Sequence, residues 1–124
     1  MIVKSFVAAG TITEFAAVAF DSNGKVAVAT DATSDLIIGI AQRGASAGDV
    51  VDVVVMGETR AIAGAALTFS STPRLTVGTG GALVDGSTAG DYPVARLLPN
   101  INQTSTAGSG EQVVVYFHGP VTVN

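Results

Sequence analysis

The sequence predicts a mainly β, small single-domain, barrel-like fold. Three observations carry that expectation. Val, Ile, Thr and Phe recur in runs of roughly four to eight residues, punctuated by Gly, Asp, Asn and Ser. No window of about eleven residues places apolar side chains at i, i+3, i+4 and i+7, as an amphipathic helix requires. The segment GIAQRGASAGDVVDVVV, residues 39–55, has an echo in PVARLLPNINQTSTAGSGEQVVVYF, residues 93–117.

The elements follow in order. Ile2 to Val7 reads as a first strand or short arm, so residues 1–10 are set apart from a β-rich body over 11–124. Thr11 to Ala17, with Thr11 as N-cap and Glu14 three residues on, has the form of a capping box and competes as a short helix. Ala16 to Phe20 and Lys25 to Thr30 flank Asp21-Ser22-Asn23-Gly24. Asn23-Gly24 predicts a hairpin with a primed turn, because both residues tolerate positive φ. Leu36 to Gln42 and Val50 to Met56 are the next strands. Val51, Val53 and Val55 share one face there, and Val50, Asp52 and Val54 the other.

Gly57-Glu58 reads as a turn into a strand over Thr59 to Ala63, and Ala61 to Leu67 competes as a single helical turn. Ala65 to Phe69, Arg74 to Val77 and Ala82 to Val84 are short strands, the last two joined by a tight turn at Gly78-Thr79-Gly80-Gly81. Val94 to Leu98 and Gln112 to Phe117 close the fold, with Pro120 to Val123 as a tail.

The echo aligns Ile40-Ala41 with Val94-Ala95, Ser46-Ala47-Gly48 with Thr106-Ala107-Gly108, and Val51-Val53-Val55 with Val113-Val115-Phe117. It predicts a two-fold internal repeat: two similar β-units packed around a shared core.

Composition narrows the function. Charged residues are 13% of the chain against 48% hydrophobic, where an average soluble domain carries about 25% charged. A surface with so little charge suits a protein covered in part by partners. The net charge of −4, with Lys4, Lys25, Arg43, Arg60, Arg74 and Arg96 scattered along the chain, argues against nucleic-acid binding and against a polybasic membrane anchor. No run reaches the ~18 apolar residues of a membrane span. Thr11, Thr13 and Glu14 break the N-terminal apolar run, against a signal peptide.

Reactive chemistry is scarce. The chain has no cysteine and one histidine, His118, placed between a valine strand and a Gly-Pro turn. No Gly-x-Ser-x-Gly elbow and no phosphate loop occur. Asp21-Ser22-Asn23-Gly24 begins like a calcium loop, but Ala32 stands where that loop needs its bidentate Glu. Asp31 and Asp35 are the nearest further cation ligands. Lys25, just after a hairpin tip, is near the place of the modified lysine of biotinyl and lipoyl carriers, but theirs sits in the tip with flanking residues that are absent here. Asn102-Gln103-Thr104 has the N-glycosylation form. The expectation is no catalytic residue, no metal and no cofactor.

The series of a DxxGKV hairpin, LIIGIA, GDVVDVVV, GETRAIAGAAL, a Gly-rich turn, PVARLL and a last valine strand resembles the head decoration, or capsid cement, proteins of tailed bacteriophages. The likeness runs from about Phe15 to Phe117. It implies a β-tulip fold and homotrimers on the outside of the phage head. There they would bind the major capsid protein and tie neighbouring capsomers together. It implies no enzyme, and a chain assembled in the host cytoplasm and carried on the virion. By the same resemblance, Ile2, Val3 and Phe6 become capsid-interface candidates through edge-strand pairing. The alternative is a small β-sandwich binding module of a phage fibre. A sugar-binding module would use exposed aromatics, yet aromatics are 6% with no Trp. Phe15, Phe20, Phe69, Tyr116 and Phe117 lie in strand patterns that suggest core, and Tyr92 lies in a loop.

Overall fold

The computed structural model describes residues 1–30, 36–68, 74–86, 92–98, 106–107 and 110–120. Among these residues eleven strands are formed: β1 (Ile2–Val7), β2 (Ala17–Phe20), β3 (Val26–Val28), β4 (Ile37–Ala41), β5 (Val50–Ile62), β6 (Leu67–Thr68), β7 (Arg74–Val77), β8 (Leu83–Asp85), β9 (Ala95–Leu98), β10 (Thr106–Ala107) and β11 (Gln112–Phe117). The helical element described in full is a 3₁₀ turn, Thr79–Gly81. The fold is mainly β, as the alternation of apolar and turn residues predicts.

The sheet runs β3-β2-β4-β5-β11-β9-β7-β8, with β1 on β5, and every pairing is antiparallel. This order is a repeat. A hairpin (β2–β3 or β7–β8) lies beside β4 or β9, which lies beside β5 or β11. Each closing strand pairs with the strand that opens its unit: β1 lies on the first half of β5, and the second half of β5 lies on β11. The units are residues 2–55 and 57–117.

Backbone hydrogen bonds match between the units. Ala9 N donates to Val26 O as Gly64 N does to Leu83 O, both at 2.8 Å. Ala8 N donates to Asp49 O as Ala63 N does to Glu111 O, again both at 2.8 Å. Gly48 N and Gly110 N donate to Ala8 O and Ala63 O at 2.9 and 2.7 Å. The Ile12–Ala45 bridge has its counterpart in Leu67–Ala107 of β6 and β10.

The duplication is therefore real, and two of its expected alignments are corrected. Val51, Val53 and Val55 do match Val113, Val115 and Phe117. Ile40, however, matches Arg96, since each pairs with the equivalent of the other's neighbours: Ile40 with Ala17 and Val54, Arg96 with Arg74 and Tyr116. Gly48 matches Gly110 and not Gly108. Both have positive φ, at 88° and 86°, where a side chain is strained.

The cores also repeat. The smaller one contains Ala8, Ile12, Val18, Val26, Ala41, Val51 and Val53. Their counterparts Ala63, Leu67, Leu75, Leu83, Leu97, Val113 and Val115 all lie in the larger one. The larger core holds in addition Ala17, Ala19, Ala29, Ile37 and Ile40, from the opposite face of the first unit. So the units do not share a symmetric core. The outer face of the first unit is stacked on the inner face of the second, head to tail. Small residues let the layers approach. A Cβ on Gly81 would lie 2.8 Å from Ala16 Cβ and 3.0 Å from Ala17 O. Gln42 Nε2 adds a polar link across the units, donating to Thr59 Oγ1 at 2.9 Å.

Irregularities serve this stacking. Ala19 pairs with Ile37 and Val18 with Gly39, so β4 carries an extra residue opposite β2. That bulge shifts the phase, and both Ile37 and Ile40 reach the larger core despite their odd separation. A second register shift, between Ile2 and Val3 on β1, lies opposite Val54 to Met56 of β5.

Four local readings of the sequence are not borne out. Thr11 to Ala17 is no helix: Ile12 bridges to Ala45, and Phe15 takes a φ of 64° that ends any helical path. Gly57-Glu58 is no turn. β5 runs through it for 13 residues because β1 and β11 supply partners for its two halves, and Gly57 bends it at φ 118°. Likewise Ala61 to Leu67 ends that strand without a helical turn. The β2–β3 loop is not a two-residue primed turn. Only Gly24 has positive φ there, and Asp21 Oδ1 accepts from Asn23 N at 2.8 Å and Lys25 N at 3.0 Å. The side chain thus builds a longer turn of the type that ends in a left-handed glycine.

Candidate interaction surfaces

The residues considered for chemistry stay apart. His118 is exposed, its Nδ1 2.7 Å from Gly119 O. No group of three or more His, Asp or Glu side chains converges as a metal site among the described residues. Asp21 spends its carboxylate on the turn, and Lys25 is exposed beside it. Asp31, Asp35 and Asn102 lie outside the described residues, as does Phe69. No described helix is long and apolar enough to cross a membrane. What the structure offers is surface, in three distinct places.

The first is β1. Among the described residues it pairs with β5 alone. Ile2 and Val3, on opposite faces of the strand, are 48% and 47% exposed. Phe6 is different: it is half-buried against the smaller core, and its ring meets Phe20 edge-on with centroids 5.2 Å apart. Met1 runs against Gly57, where a Cβ would approach Met1 Cα to 2.8 Å. Ser5 Oγ donates to Asp52 at 2.8 Å and ties the middle of the strand down.

The second is the inner face of the first unit. Its counterpart in the second unit is closed, because the first unit's outer face lies on it. Here no described element does the same at the open end. Phe20 is 43% exposed, whereas Val77 at the matching place is 2% exposed. Phe6 and Val55 are half-buried, whereas Ala61 and Phe117 are fully buried. The sequence expectation that Phe20 belongs to the core is overturned. The alternation of β2 puts it on the core face, but that core is open at its end.

The third is the outer face of the second unit. Register aligns Glu58, Tyr116, Arg96 and Arg74 in one row across β5, β11, β9 and β7. All four are exposed. Arg74 and Arg96 are direct cross-strand partners, so folding brings together two of the bases that look scattered along the sequence. Tyr116 also leaves the expected core, because β11 turns it to this outer face. The matching row in the first unit is Ala17, Ile40, Val54 and Val3, of which the first three are fully buried. Sequence inspection alone missed this contrast. The signal is present, since Arg96 stands where Ile40 stands, but only the correct alignment exposes it.

No family model matches the chain, and no curated protein matches it. Among solved structures, the crystal structure of the head fiber gp8.5 N base in bacteriophage phi29 is similar, with a TM-score of 0.67 and 16% identity over 97% of each chain. At that identity the likeness shows a common fold.

Proposed function

We propose that this chain is a structural protein of a tailed-phage head, seated on the outside of the shell as a non-enzymatic attachment or cementing module. The observation that carries this is the end-to-end fold likeness to a head fiber base, over 97% of both chains. The open apolar surfaces and the dispersed polar groups favour association over catalysis. A cementing role needs buried area repeated over many copies, about 1,600 Å² for a stable contact. In this reading the edge of β1 adds to a strand of the major capsid protein, with Ile2 and Val3 on either face of it. Phe6 supports the strand from beneath. The decoration form is a homotrimer.

A second reading is the base of a head fibre, favoured by the likeness to the phi29 head fiber base. Copy number separates the two. Quantitative mass spectrometry of purified particles is expected to find this chain near one copy per major coat protein for a cement. A handful of copies per particle makes it a fibre base. Absence from particles removes both readings. If the chain is present, I2D/V3D is the next variant, and it is expected to lower occupancy on particles while the isolated protein melts as the wild type does.

A further inference from the structure

The two units differ in one respect that bears on partners. The second unit's inner face is filled by an apolar sheet face, made of Ala17, Ile40 and their neighbours from the first unit. The first unit has the equivalent inner face, with Lys4 where the second unit has Thr59. Its middle is buried in the smaller core, but its end has no such cover among the described residues: Phe20 is 43% exposed where Val77 is 2% exposed. The chain therefore contains both a filled and an unfilled copy of one docking face. The filled copy states what the unfilled one accepts.

We infer that the inner face of the first unit, around Phe6, Phe20 and Val55, docks a β-sheet face of small apolar residues presented by a different protein. The partner's face would resemble the Ala17–Ile40–Val54 row in shape and chemistry, and its docking would continue the stacking already present between the units. A second copy of this chain does not qualify. Its free outer face carries Arg74, Arg96 and Glu58 at the places of Ala17, Ile40 and Val3. Stacking it on Phe20 would bury two guanidinium groups against Phe6, Phe20 and Val55, which offer them no carboxylate, a strongly unfavourable step. The charged row acts as an end cap, as terminal repeats of stacked proteins do. This inference concerns a surface distinct from the edge of β1 and does not depend on the head reading.

The test converts the cap into a docking face. A donor variant carries R74A, R96I, Y116V and E58V, which reproduce the first unit's row on the second unit. It also carries F20D, which spoils its own accepting face. Mixed with the wild-type chain, the donor is expected to form a one-to-one complex by analytical ultracentrifugation. F20D in the wild-type partner is expected to weaken that complex by at least about tenfold. The same donor with Phe20 restored is expected to form open-ended oligomers, because a head-to-tail contact does not close. A milder donor, R74A/R96A with F20D, leaves the strands' packing untouched and gives the same complex with lower affinity. Failure of the wild-type chain to bind either folded donor overturns the inference, and so does binding that F20D leaves unchanged. Self-association of the wild type that F20D abolishes overturns the choice of partner and gives the face to a second copy.

Discussion

Ile40 and Arg96 occupy the same place in two copies of one unit, so truncating each to alanine tests the stacking directly. Ile40 is fully buried in the larger core, between the outer face of its own unit and the inner face of the next. Ile40→Ala removes three carbons, worth about 2.4 kcal/mol at ~0.8 per buried methylene. The cavity left behind brings the expected loss to about 2–5 kcal/mol. For a domain of this size one kcal/mol moves Tm by about 3–5 °C, so the midpoint should fall by ~10–18 °C at the middle of that range. Arg96→Ala removes an exposed side chain facing a like charge and is expected to stay within about 0.5 kcal/mol of wild type. Urea unfolding followed by circular dichroism measures both. Equal losses for the two variants would refute the head-to-tail arrangement, because a symmetric packing would bury the two places alike.

Three further outcomes follow from the same geometry. Gly81→Ala adds a left-handed penalty of about 1–2 kcal/mol and a clash with Ala16 of about 1–3 kcal/mol. Gly24→Ala has a similar φ but open space around it, so thermal melts of the pair should separate clash from strain. Arg96→Glu replaces a like-charge cross-strand pair by an opposite one with Arg74. It should raise stability by about 0.2–1 kcal/mol at low salt, with the gain fading as salt is added. Asp21→Ala leaves the Asn23 and Lys25 amides of the β2–β3 turn without their acceptor, and a loss of about 0.5–2 kcal/mol is expected by chemical denaturation.

Much of the fold is legible in the sequence because strand alternation and glycine turns are local signals. β1, β4, β7, β9 and β11 fall within a residue or so of where Val, Ile and Leu alternate. The misses have a common physical cause: partners distant in sequence decided them. Thr11 to Ala17 has a helical cap signal, yet Ile12 finds Ala45 and Phe15 N finds Ala41 O at 2.9 Å. Gly57 has a turn signal, yet strands on either half of β5 carry it through. The repeat was visible through its valines, but the bulge in β4 shifts phase without a mark in the residue pattern, and so the alignment slipped by two along β4 and β9. The exposure of Ile2 and Val3 agrees with an edge strand. That of Phe20 and Tyr116 was hidden, because alternation tells which face a side chain takes and not whether anything covers that face.

β5 has one consequence for how such a chain tolerates change. It closes the first unit and opens the second with Met56 alone between them, and no loop separates the two. In most duplicated proteins a linker absorbs insertions at the junction. Here a single residue added between Val55 and Glu58 would rotate every later side chain of β5 to the opposite face. Thr59 and Ala61 would turn to solvent, and Glu58 and Arg60 would turn toward Val115 and Phe117. The bulge opposite Ile2 and the bend at Gly57 already set the phase at this junction. Length variation in related chains should therefore accumulate in the loops between β4 and β5 or between β9 and β11, and the span from Val50 to Ile62 should keep its count of residues.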